Sequence, residues 1–162
     1  MKVKLLIYGD KDKIKILREK LKGISSITSV NIGVDITKLV VDVYEMINSH
    51  VNLDEILESV FGELCENNVL CNVCDFSGVL EFVKVSVEKW NGERVVVVRP
   101  VVDGVLGECI LYDLACELML EDYIIEDYNG GSDAIVIFED DVFPSSLNEV
   151  AEDIIKMLKS FG

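Results

Sequence analysis

The stretch VKLLIYGDKDKIKILREKLKGI, residues 3–24, sets a strand directly before a helix. Val3 to Tyr8 is an apolar run of strand length. Asp10 stands where a helix cap belongs, and Ile14, Leu17, Leu21 and Ile24 recur at helical spacing, with Gly23 as the stop. Downstream, Ile27 to Val34 and Leu39 to Met46 are rich in Val and Ile and are joined by Asp35 to Lys38, the pattern of an antiparallel hairpin. A second helix follows, with Asn52 as cap, Glu55 completing a capping box, and Leu53, Ile56, Leu57, Val60, Phe61 and Leu64 as its apolar stripe. Val69 to Phe76 reads as the fourth strand. The order over residues 1–76 is β-α-β-β-α-β, the ferredoxin-like split βαβ pattern.

The second half repeats the element types in a shifted order. Val79 to Glu88 and Glu93 to Arg99 read as strands around the turn Asn91-Gly92, a strong hairpin signal. The β-branched run Val95 to Val98 marks a central strand covered on both faces. A helix over Glu108 to Leu120 follows, then Tyr123 to Glu126 and Ala134 to Phe138 flanking the turn Asn129-Gly130-Gly131-Ser132. The last helix opens after Pro144, with Ser146 and Glu149 spaced as a capping box and Leu147, Val150, Ala151, Ile154, Leu158 and Phe161 as its stripe. This order, β-β-α-β-β-α, is that of the first half with its final strand moved to the front. The expected architecture is α+β: a ferredoxin-like half over 1–77 and a circularly permuted, strongly acidic half over 78–162. One larger mixed sheet with helices on one face is the alternative.

Charge narrows the partners. With 15 Lys and Arg against 30 Asp and Glu, the 162-residue chain carries −15, which argues against a nucleic-acid binder and against polybasic attachment to a membrane. No apolar run approaches the roughly 20 residues of a spanning helix, and Leu5 to Tyr8 is too short for a signal peptide, so a cytoplasmic protein is expected. The acid is unevenly placed: residues 1–77 hold 9 basic and 12 acidic residues, residues 78–162 hold 6 and 18. Between Arg99 and Lys156 there is no Lys or Arg, while Asp113, Glu117, Glu121, Asp122, Glu126, Asp127 and Glu139 to Asp141 all fall there. Such a surface serves as a solvated face or as a docking surface for a basic partner. Glu139-Asp140-Asp141 lacks the remainder of an EF-hand loop.

Five cysteines are an odd number, and a reducing compartment keeps them as thiols or metal ligands. Cys65-x5-Cys71-x2-Cys74 has the spacing of half a zinc or iron-sulfur site, with buried structural thiols as the plainer reading. On a strand, however, Cys71 and Cys74 point to opposite faces. Cys109 and Cys116 share a helix face about 10 Å apart, too far for one ion. Their helix is apolar along Ile110, Leu111, Leu114, Ala115, Leu118 and Met119, and again along Cys109, Cys116 and Leu120. It is therefore either buried or packed against a partner, whose contacts would be Cys109, Asp113, Cys116, Glu117, Leu120 and Glu121. Asp103 to Gly107, the sole histidine His50 and the hairpin-tip Trp90 match no catalytic or phosphate motif.

The chain has no glutamine and two threonines, and is dominated by Ile, Val, Lys, Glu and Asp. With its odd set of thiols, this composition resembles the accessory proteins of anaerobic archaea, including the methanogenesis marker proteins associated with methyl-coenzyme M reductase. The resemblance spans the whole chain and carries over no residue. It implies a component or assembly factor of an oxygen-sensitive metalloenzyme, acting through protein contacts. Three functions are open: an accessory protein binding a larger partner through its acidic half, a metal or iron-sulfur carrier using Cys65, Cys71 and Cys74, and a small-ligand module that forms a homodimer. Catalysis ranks last.

Overall fold

The computed structural model describes residues 1–24, 26–62, 68–90, 92–121, 123, 125–127, 135–137 and 146–161. The chain is a mixed α+β protein that divides into two compact units, Met1–Asp75 and Phe76–Gly162, each with its own antiparallel sheet. The expected turn at 129–132, the acidic run 139–141, Pro144, Asp122 and Cys65 lie outside the described residues. Among the described residues no helix is long and apolar enough to cross a membrane.

In the first unit β1 (Lys2–Tyr8), α1 (Lys11–Leu21), β2 (Ile27–Asn31), β3 (Ile36–Asp42), α2 (Val43–Asn48), α3 (Leu53–Phe61) and β4 (Val69–Asp75) follow in turn. The sheet order is β2-β3-β1-β4, so β1 is paired on both sides. Strand periodicity sends Val3, Leu5 and Ile7 of β1 and Leu39 and Val41 of β3 to one face, where each is fully buried. The helices supply the facing layer with Ile14, Leu17 and Leu21 of α1 and Leu53 and Leu57 of α3. Asp10 accepts from the Lys13 amide at 2.9 Å and Asn52 from the Glu55 amide at 3.3 Å, so both helices begin where their caps do. Arg18 ties α1 to the hairpin by donating from Nε to Thr37 Oγ1 at 3.0 Å and from its terminal nitrogen to the Gly33 carbonyl at 3.4 Å.

Two expectations change here. The strand expected over Leu39 to Met46 ends at Asp42, because the Asp42 carboxylate accepts from the Glu45 amide at 3.1 Å and caps α2. Val43 and Met46 are then buried at helical rather than strand spacing. The strand expected to Val34 stops at Asn31, leaving Ile32 and Val34 exposed in the turn.

The second unit runs from a single 3-10 turn, Val79–Glu81, through β5 (Val83–Trp90), β6 (Glu93–Pro100), α4 (Gly104–Leu120), β7 (Ile125–Asp127) and β8 (Ile135–Ile137) to α5 (Leu147–Ser160). Its order is β5-β6-β8-β7, every neighbouring pair being antiparallel. Strand β6 is interior, and Val95, Val96, Val97 and Val98 are at most 1 % exposed, as the unbroken valine run requires. Helix α5 buries Leu147, Ala151, Ile154 and Leu158 against β5 and β6, while α4 packs on β6. Phe76 and Phe161 stack at 5.1 Å, joining the two ends of the unit. Ser146 makes no side-chain capping bond to α5, so the capping box expected there is not formed.

Helix α4 starts four residues before the Glu108 start expected for it. Gly104 and Gly107 read as loop signals, but Gly107 is inside the helix for a steric reason. A Cβ at that position would run into the Val102 carbonyl oxygen, so only a bare backbone lets the first turns of α4 pass this close to the preceding loop. Backbone cannot yield as a flexible side chain would. Gly107→Ala is therefore expected to destabilise the chain by about 1–3 kcal/mol, read as a lowered midpoint in urea unfolding followed by circular dichroism. Gly33→Ala, with nothing within 4 Å of the added carbon, should stay within about 0.5 kcal/mol of the parent.

Candidate functional site

Helix α4 is where the sequence concentrates its unusual features. Over its 17 residues it buries Val105, Leu106, Gly107, Cys109, Ile110, Leu111, Leu114, Ala115 and Leu118. At 100° per residue, Tyr112, Cys116, Met119 and Leu120 fall on the opposite side and form a single stripe. Tyr112 is 57 % exposed, Met119 56 % and Leu120 76 %, and Cys116 is an exposed free thiol. The stripe is apolar and open to solvent.

Its border is acidic. Glu108 and Glu121 are exposed, Asp113 and Glu117 half-buried, and the helix carries no basic residue. Asp113, Glu117 and Glu121 succeed one another at i, i+4, where like charges repel by roughly 0.2–0.5 kcal/mol per pair. Glu117 and Glu121 also lie at the helix C-terminus, the negative end of its dipole, where cations are favoured.

Of the six residues expected to face a partner, Cys116, Leu120 and Glu121 are at the surface, with Asp113 and Glu117 at its edge. Cys109 is 1 % exposed and belongs to the interior. It shares an azimuth with Cys116 but sits two turns nearer the start of the helix, where the surrounding structure covers that side. Tyr112 and Met119 take its place. The Met119 assignment to the buried line changes because Met119 is seven residues from Tyr112, about 20° away in azimuth, and 100° from the buried Leu118. Counting azimuths along the helix gives the direction of this stripe, while the buried Val105 and Cys109 on the same side show that it opens only from Tyr112 onward.

The cysteines of the first unit do not converge. On β4 burial alternates, with Val73 buried and Leu70, Asn72 and Cys74 outward. Cys71 lies in register with Leu5 on the Val73 face, while Cys74 lies on the other and its Sγ donates to the Lys2 carbonyl at 3.5 Å. Cys74 is a free thiol. The sulfurs of Cys71 and Cys109 are each disulfide-bonded, so the expectation of thiols or metal ligands fails at these two positions. Among the described residues no group of three or more His, Cys, Asp or Glu is arranged to hold a metal ion.

Other features are local. His50 adopts a positive φ of 58° in the exposed turn between α2 and α3. The cleft before α4, between Val102, Asp103, Gly107 and Glu108, has a volume of about 40 Å³, room for one water. Two carboxylates at its rim oppose an anion. Shallower depressions of about 240 Å³ beside Lys4, Leu6 and Leu70 and about 230 Å³ beside Gly78, Glu81 and Leu158 bring together no convergent set of polar groups.

No family model matches the chain, and no curated protein does. Among solved structures the chain is similar to the aspartate kinase of Clostridium acetobutylicum, at 12 % identity and a TM-score of 0.31. The similarity covers 99 % of this chain and 32 % of that one, so the chain spans about a third of that enzyme's length. At that score the likeness carries neither fold nor activity to this chain.

One charge pair is built into the second sheet. Arg99 Nε donates to Glu88 Oε2 at 2.9 Å and Ser86 Oγ donates to the same oxygen at 3.0 Å. The Arg99 bond chiefly holds the Glu88 carboxyl below its ordinary value of 4.5, aided by Ser86 and by the charge of Lys84. A depressed carboxyl contributes stability above its unfolded value and loses it as pH falls through the folded one. Wild type should therefore lose a small increment below about pH 4.5 that Glu88→Gln lacks. Parallel urea titrations at pH 7 and at pH 3 measure it, and curves offset equally at both pH values would contradict the assignment.

Proposed function

We propose that the protein is a non-catalytic accessory or assembly protein that docks on a larger protein partner through the outer face of α4. The observation that carries this reading is the exposed stripe Tyr112, Cys116, Met119 and Leu120 beside the ladder Asp113, Glu117 and Glu121. An apolar centre with a charged rim is the anatomy of a docking surface. The complementary partner has an apolar groove edged by Lys or Arg. Basic groups there would be attracted to the acidic rim and to the negative end of the helix dipole at Glu117 and Glu121. The compositional resemblance to accessory proteins of anaerobic archaea supports a partner within an oxygen-sensitive metalloenzyme system.

The architecture that presents this face we read as two ferredoxin-like layers, the second circularly permuted. What supports the reading is the strand arithmetic. With β4 counted first, the sheet of the first unit runs first-second-fourth-third, and the sheet of the second unit has that same order without any renumbering. The strand absent from the end of the second unit stands at its beginning as β5.

Anaerobic affinity capture of the full chain from extracts of its source organism tests the docking role. A stoichiometric partner should be retained at low salt and released as ionic strength rises. Leu120→Asp should abolish capture while leaving the far-ultraviolet dichroism unchanged, because Leu120 is already in water. Glu121→Lys should raise the stability of the free chain by about 0.3–1 kcal/mol and weaken the complex. Variants that capture the same partner as wild type, at every salt concentration, would sink the proposal.

A further inference from the structure

The strand parity that buries one face of the first sheet turns a second set of side chains the other way. Lys4 and Leu6 of β1, Lys38 and Val40 of β3, Val30 of β2 and Leu70 of β4 all belong to the face opposite the helices. Leu70 is 58 % exposed and Val30 46 %, and the four central residues are half-buried. A depression of about 240 Å³ runs along Lys4, Leu6, Leu70 and Asn72. The cross-strand neighbours of Lys38 are Leu6 and Val30, and those of Lys4 are Val40 and Asn72, none of them acidic. Among the described residues neither lysine forms an ion pair. In a chain of net charge −15, this face is apolar and positive.

Its chemistry defines what fits it. An occupant must set apolar side chains on Leu6, Val40 and Leu70 and carboxylates beside the two ammonium groups. Lys4 and Lys38 are diagonal neighbours on paired strands, roughly 7–8 Å apart. The outer side of α4 meets both requirements. It exposes Tyr112, Cys116, Met119 and Leu120, and it carries Glu117 and Glu121 one turn apart, a spacing of roughly 5–6 Å that flexible lysine side chains can match. Two second units brought together set acid against acid, so copies of this chain attract one another only through unlike faces.

We propose that α4 of one copy docks on the helix-free face of the first sheet of another copy, so that the free protein covers its own docking helix by head-to-tail self-association. This rests on the reading of α4 as a docking face, whose complement is an apolar surface edged by basic groups. The contact is heterologous, since each copy offers one sheet face and one α4 face, and association therefore grows with concentration. A larger partner and a second copy compete for the same helix.

Sedimentation velocity of the full chain at low salt, over a concentration series reaching hundreds of micromolar, tests it. Wild type should rise from the chain mass of 18.1 kDa to at least twice that value, and should lose the gain as ionic strength increases. Two variants each remove one face. Lys4→Glu with Lys38→Glu spoils the sheet and Leu120→Asp spoils the helix, so each alone should stay monomeric with unchanged dichroism. Mixed in equal amounts, they should form a heterodimer and stop there, because one intact helix meets one intact sheet and the remaining two faces are both spoiled. Leu70→Asp serves as the sheet variant should the double substitution fail to fold. Ile16→Lys, on the exposed side of α1, should associate as wild type does. A wild type that is monomeric throughout, face variants that associate like wild type, or a mixture no heavier than its components would overturn the proposal. The capture experiment separates the two readings. A monomeric wild type that retains a stoichiometric partner removes self-association alone, whereas a self-associating chain that captures nothing removes the accessory role alone.

Discussion

The constraint on which both units rest is the register of a central strand. In the first unit β1 is paired on both sides, so its backbone has no freedom to slide once β3 and β4 are in place. Its side chains permit one solution. Val3, Leu5 and Ile7 face the helices at zero exposure, and a slip of one residue would drive Lys2, Lys4 and Leu6 into that space. Burying two lysines without partners costs several kilocalories per mole, far beyond anything a turn or cap could return. The caps at Asp10 and Asn52, worth about 1 kcal/mol each, therefore set where helices begin rather than which face they cover. In the second unit β6 has the same position in its sheet but no such polarity, since all four of its valines are buried. Its register is held instead by Arg99, which donates to Glu88 of the neighbouring strand from the same face of the sheet.

Once the sheets are set, α4 can carry a surface that is poor for stability. Side chains such as Ile110, Leu111, Leu114 and Leu118, each at most 1 % exposed, contribute about 1.5–3 kcal/mol apiece. The two i, i+4 repulsions along Asp113, Glu117 and Glu121 cost roughly 0.2–0.5 kcal/mol each. Burial wins by an order of magnitude, so the helix forms despite its charge pattern. The excess leaves the outer face free to be selected for something other than folding.

Much of the architecture was legible because it rests on periodicity. The stripes of α1, α3 and α5, the caps at Asp10 and Asn52 and the valine run of β6 all express themselves within a few residues of sequence. What was not legible depends on groups distant from the local pattern. Asp42 looks like a strand residue until its side chain is seen to hold the Glu45 amide, and α2 follows from that one bond. Gly107 looks like a loop residue because the reason for it, the carbonyl of Val102, belongs to another segment. The candidate face on α4 was half visible. Cys116, Leu120 and Glu121 could be placed by spacing, whereas Cys109 and Cys116 have equivalent azimuths and differ in exposure only through what packs over each end of the helix. Periodicity reports direction around an axis and is silent about what lies along it.

Charge then divides the surface between two kinds of contact. Two copies of a chain at −15 repel wherever acidic faces meet, and the second unit, with 6 basic and 18 acidic residues, is the worst place for self-association. A contact with a basic partner gains from the same density. The first unit is nearly neutral by comparison, with 9 basic and 12 acidic residues over residues 1–77, and its longest charge-free segment coincides with a sheet edge. Repulsion between like surfaces is thus weakest in the first unit, and attraction of an unlike, basic chain strongest in the second. The asymmetry of charge along the sequence therefore places the surface that would attract a basic chain in the second unit and leaves the first nearly neutral.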